Sequence, residues 1–147
     1  ALSLAEVLPR QIQRLYELAE RARLDPALLR AWAEAEEAIY AQPDDAMVNW
    51  DAAALRAGCE AAGLTVLSLE TVRQPRDLLV TQEQVARWFG AGSPNRPSYA
   101  EHLRRSLSAE QVDAVRDLLG RQLVGQVVAW HGSVAYLVAK GQGDGAT

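Results

Sequence analysis

The run NWDAAALRAGCEAAGLTVLSLETV, residues 49–72, constrains the fold more than any other stretch. Asp51 stands where a helix would begin, with a side-chain oxygen that can accept from the free N–H groups of a first turn. Leu55, Cys59 and Ala62 then fall along one side of an alanine-rich helix. Gly63 reads as its left-handed stop. Leu64, Val66, Leu67 and Leu69 follow at once as a strand running to about Val72, and Pro75 is expected to end it. A helix that stops at a glycine and turns directly into a strand is a unit of an α/β sheet, and a sheet needs partner strands.

The partners are few. Leu2 to Glu6 reads as a short strand, with Pro9 barring a longer ladder. VVAWHGSVAYLVAK is β-branched and aromatic, with Gly132 suggesting a bulge or turn, so the firm strand is Ser133 to Ala139. Leu4, Leu64, Val66, Leu69, Val134, Tyr136 and Val138 are expected in strands, with alternating members in the core. The rest is helical. QIQRLYELAERAR has Ile12, Leu15, Tyr16 and Leu18 at helical spacing. Asp25-Pro26 starts a second helix reaching about Ala41, with Leu28, Leu29, Trp32, Ala35 and Ile39 on its buried face. Thr81-x-x-Gln84, Ser98-x-x-Glu101 and Ser108-x-x-Gln111 are capping-box patterns that open helices at about 82–89, 98–106 and 109–123. The fold class is therefore α/β, helix-rich, with a small mixed sheet of about three strands. Residues 1–140 form a single α/β domain with a helical insertion at about 73–126, and 141–147 a flexible tail.

Composition narrows the function classes. The 147 residues are 49% hydrophobic and 23% charged, an ordinary globular mixture. No apolar run approaches a membrane span, and no signal-peptide pattern is present. The one cysteine, Cys59, cannot form an internal disulfide and reads as a small core residue; a reducing, cytoplasmic setting fits. The net charge of −4 argues against indiscriminate binding to nucleic acid. The charge is uneven, however. Residues 1–72 hold six Arg against twelve Asp and Glu, and residues 73–121 hold eight Arg against six.

No motif for chemistry stands out. FGAGSPNRP follows a predicted helix rather than a strand, so its glycines read as a helix-helix turn and not a phosphate loop. His102 and His131 lack Cys or His neighbours at metal spacing. Nothing resembles a nucleophile elbow. Glu34, Glu36, Glu37, Asp44 and Asp45 read as a solvated acidic face, since paired carboxylates alone specify no reaction. Trp32, Trp50, Trp88 and Trp130 read as packing anchors. The densest constellation is NRPSYAEHLRR, where Arg96, Tyr99, His102, Arg104 and Arg105 gather in one segment. Such a patch would hold phosphate or an acidic partner; the alternative is a solvated face with pairs such as Glu101 with Arg105.

LSLAEVLPRQIQRLYELAE, the run at 49–72 and GQVVAWHGSVAYLVAK together resemble the last part of a class I S-adenosylmethionine-dependent methyltransferase fold. AEEAIYAQPDDAMVNWD and WFGAGSPNRPSYAEHL carry a narrower resemblance, to the methyltransferase-like C-terminal region fused to replication-associated recombination ATPases of the AAA family. The resemblance implies that residues 2–6, 64–72 and 133–139 are the fifth, sixth and seventh strands, the seventh antiparallel between the other two. It also implies that the methyl-donor loop and the ATPase phosphate loop belong to an N-terminal portion missing from this chain. No catalytic, cofactor or metal residue carries over, and ATP or S-adenosylmethionine would be a cofactor only of a longer parent. The expected partners are that missing portion and further copies of the chain, with DNA reached only indirectly and no membrane. The implied function is a non-catalytic interaction and structural domain of such an ATPase. The alternative is the C-terminal fragment of a methyltransferase whose donor-binding half lies elsewhere.

Overall fold

The computed structural model describes residues 1–20 and 23–143. In chain order these form β1 (Leu2–Val7), a 3-10 turn (Pro9–Gln11), α1 (Leu15–Leu18), α2 (Pro26–Tyr40), α3 (Ala52–Ala61), β2 (Leu64–Leu79), α4 (Gln82–Phe89), α5 (Tyr99–Leu103), α6 (Ala109–Leu123) and β3 (Val127–Gly141). The fold is mixed α/β, with six α-helices and three strands among the described residues. None of these helices is long and apolar enough to cross a membrane. The chain divides into two compact units. One comprises residues 1–13, 42–76 and 131–147; the other comprises 14–41 and 77–130.

The first unit holds β1 and α3, with the larger parts of β2 and β3. The strand order is β1-β3-β2. β1 runs antiparallel to β3, with Leu2 facing Ala139 and Val7 facing Val134. β2 and β3 are antiparallel too: Gln142 N–H donates to Gly63 O at one end, and Val80 N–H donates to Gln126 O at the other. The sheet is therefore antiparallel rather than mixed, because β3 lies between the two strands that would otherwise pair in parallel.

Asp51 caps α3 as expected, its side chain accepting from Ala54 N at 2.8 Å. Gly63 leaves the helix with φ +83°, a conformation that crowds any Cβ. The small core of this unit joins Cys59, Leu137 and Ala139, with Leu4, Leu55, Leu64, Val66 and Leu69 packed around them.

Three expectations about the strands change. β2 does not stop before Pro75 but runs on to Leu79. β2 is an edge strand, the place in a sheet where a proline is tolerated. β3 is continuous from Val127 through Gly132, with neither turn nor break. Its buried positions are Ser133, Ala135, Leu137 and Ala139, whereas Val134 and Val138 are half-buried and Tyr136 is 41% exposed. Val134, Tyr136 and Val138 thus lie on the looser face. The packed side carries Ser133, Ala135, Leu137 and Ala139, and there Leu137 and Ala139 join Cys59 of α3.

The second unit is helical around one core that includes Trp32, Ala35, Val85, Phe89, Leu103, Val112, Val115 and Leu119. Ser98 and Ser108 complete capping boxes with Glu101 and Gln111, and the Thr81 side chain accepts from Gln84 N. α6 spans the expected residues, and α5 is shorter than expected. Trp32 is fully buried, and the Trp88 and Trp130 rings stack with centroids 6.3 Å apart.

The helix expected over residues 11–23 is not continuous. Gln13 N–H donates to His131 O, which holds that residue extended, and among the described residues of this run α-helix forms over Leu15–Leu18 alone; Arg21 and Ala22 lie outside the described residues. Of the tail expected at 141–147, residues 144–147 lie outside the described residues.

Candidate functional site

α2 carries Trp32, Ala35, Glu36 and Ile39 on its inward face, and all four are buried. This is the i, i+3, i+4, i+7 set of a helical stripe. Glu36 is therefore a core residue, not part of a solvated acidic face. Glu34 and Asp44 are exposed as expected. The Glu36 carboxylate is 1% exposed and surrounded by donors. Leu15 N–H donates to its Oε2 at 2.7 Å and Tyr16 N–H to its Oε1 at 3.3 Å. The Tyr99 hydroxyl, from α5, donates to Oε1 as well. Trp32 Nε1–H donates in turn to the Tyr99 oxygen at 2.7 Å. Glu36 thus satisfies the first free N–H groups of α1 from a different helix, since the residue before α1, Arg14, has no capping oxygen in its side chain.

Burial pushes the Glu36 carboxyl up to about 7, against the opposing pull of the hydrogen bonds from Tyr99, Leu15 and Tyr16. Burial likewise raises the Tyr99 phenol well above its ordinary value, and the nearby Glu36 charge adds to this. At the next residue of α2, Glu37 binds Arg14 at 2.8 Å, and the Arg14 guanidinium lies 3.7 Å from the centroid of the Tyr40 ring. The Tyr16 hydroxyl donates to the same Glu37 oxygen at 2.9 Å. The hydrogen bond from Arg14 holds Glu37 below the usual carboxylate range.

A raised carboxyl beside a tyrosine has the make-up of a general acid. Its geometry is that of a structural one. Both oxygens accept from the protein, and too little surface is open for a substrate to reach them. Sequence reading missed this group because it weighed the glutamates as a charge cluster. The signal that would have found it is the spacing: Glu36 lies four residues after Trp32 and three before Ile39.

The structure separates the five residues of the arginine-rich segment. Tyr99 turns inward to Glu36 and Trp32, and its ring meets Phe89 edge to face at 5.7 Å. His102 is half-buried, while Arg96, Arg104 and Arg105 are exposed. The turn before α5 closes on itself: Ser93 and Arg96 exchange backbone hydrogen bonds of 3.0 Å. Glu101 receives Gly92 N–H at 2.8 Å and Ser98 N–H at 3.1 Å. These bonds hold its carboxyl below the usual range. A Cβ at Gly92 would lie 2.4 Å from Ser98 N, so this glycine is required by close approach and not by a phosphate.

The chain matches no protein-family model, no curated protein and no solved structure.

Two further surfaces are concave. A hollow of about 520 Å³ on α4 and α6 is lined by Gln82, Val85, Arg116, Asp117, Gly120 and Arg121. Its charges are of both signs, so it selects neither anion nor cation. An apolar groove of about 410 Å³ runs past Trp50, Leu55, Cys59 and Leu64 and offers almost no polar group to orient a substrate. Among the described residues, no group of three or more His, Cys, Asp or Glu could hold a metal ion.

Proposed function

We propose that this chain is a non-catalytic interaction and structural domain, the C-terminal part of a larger bacterial AAA-family ATPase of DNA replication or recombination, working in the cytoplasm. The observation that carries this reading is the strand order. β3 lies between β1 and β2 and antiparallel to both, the arrangement that the resemblance to the end of a methyltransferase fold implies. The hydrogen-bonded, buried Glu36 supports a structural role for that carboxyl. ATP and DNA would be handled by the ATPase portion. The exposed Arg96, Arg104 and Arg105 are the surface offered to that portion, with long-range attraction that weakens as salt rises.

The test is binding of the chain to the separately produced ATPase portion and to DNA, before and after the double change Arg104→Ala and Arg105→Ala. Weakened binding to the ATPase portion supports the reading. Unchanged affinities for both would make the arginines a solvated face, and ATP turnover by the chain alone would overturn the non-catalytic role.

The same strand order favours one second reading, the C-terminal fragment of a methyltransferase whose donor-binding half lies outside this chain. Calorimetry of the longer protein with S-adenosylmethionine separates the two: heat of binding supports the fragment, and its absence removes it.

A further inference from the structure

The two edges of the sheet are guarded differently. β2, at one edge, carries Glu70, Arg73, Pro75, Arg76 and Asp77, charges and a proline of the kind that keep edge strands from pairing. β1, at the other, has Glu6 as its one charge and no proline. Its ladder shows which groups look outward. Leu8 N–H donates to Ser133 O at 2.8 Å, in register with Val7 facing Val134. In an antiparallel ladder, successive residues turn both backbone groups toward one side and then the other. Leu2, Leu4 and Glu6 therefore face β3, while Ser3, Ala5 and Val7 turn their N–H and C=O groups to the free side. All three are exposed, Val7 to 57%.

We infer that β1 pairs with β1 of a second copy of this chain across a two-fold axis, joining two sheets into one. The choice of a second copy rests on self-complementarity. With Ala5 opposite Ala5 on the axis, Ser3 of each copy stands opposite Val7 of the other. All three outward residues are then used, forming about six backbone hydrogen bonds. Glu6 stands opposite Leu4 of the second copy, so the two like charges do not face each other. Side chains at the axis are methyl groups, small enough for close approach. This goes beyond the proposed function, since it concerns a different surface from the arginines.

The test is sedimentation equilibrium of the whole chain over a wide concentration range. The expected mass rises to twice the 16.0 kDa of one chain. Ala5→Pro removes an outward N–H without touching the bonds to β3, and should leave a folded single chain. Ala5→Lys and Ala5→Glu, each alone, set like charges face to face and should raise the dissociation constant about tenfold or more. An equal mixture of the two should return to the double mass, which only this register explains. A wild-type mass of 16.0 kDa at every concentration would overturn the proposal. So would a folded Ala5→Pro chain that still pairs, or a mixture of folded Lys and Glu variants that stays single. If the proline variant does not fold, the charge pair decides.

Discussion

Replacing Glu36 by Gln should erase a specific pH dependence of stability. In the folded chain the carboxyl is raised from 4.5 to about 7, and in the unfolded chain it returns to the ordinary value. Between those limits the folded state keeps a proton that the unfolded state releases. The stabilising contribution of the protonated group is thus complete below pH 4.5 and is lost as pH rises through about 7. At ~1.36 kcal/mol per pH unit, that interval amounts to ~3 kcal/mol. Glutamine has no proton to lose, so the stability of Glu36→Gln relative to wild type should climb by ~3 kcal/mol between pH 4.5 and 8. Glu37, held low by Arg14, acts in the opposite sense: its contribution is present above the ordinary carboxylate value and fades as pH falls. Both proteins share it, so it cancels in the difference. The assay is urea unfolding at a series of pH values, followed by far-UV circular dichroism and by tryptophan fluorescence, since Trp32 lies one hydrogen bond from Tyr99. A difference between the two proteins that stays flat across this range would refute the assignment of a buried, proton-holding Glu36.

Tyr99→Phe keeps the ring against Phe89 but removes the hydroxyl that joins Trp32 to Glu36; chemical denaturation should show a loss of ~1–3 kcal/mol. Two successive glycines, five positions apart, should answer alanine with opposite signs. Gly58→Ala, inside α3 with open space at its Cβ, should stabilise by ~0.5–1 kcal/mol, and Gly63→Ala, at φ +83°, should destabilise by ~1–2 kcal/mol, both read from thermal melts. Ser108→Ala removes the side chain that caps α6 and should cost ~1 kcal/mol in the same melts.

Much of the local structure was legible because local chemistry fixes it. Asp51, Ser98 and Ser108 announce their helices through oxygens that only a first turn can use, and Gly63 ends α3 where only a residue without a Cβ is at ease. The three strands were legible too, in the apolar and β-branched runs that carry them. What tertiary structure decided lies in contacts between residues far apart in the chain. Ile12 and Leu15 have helical spacing, yet Gln13 is claimed by His131, 118 positions later, and a long-range backbone bond outweighs a weak helical preference. Pro75 ends a strand in the middle of a sheet but not at its edge, and no local pattern says which place β2 will take. Tyr99 and Glu36 each looked like surface groups within their own segments. They became one buried hydrogen bond only when α5 met α2, because burial is a property of the partner that covers a side chain.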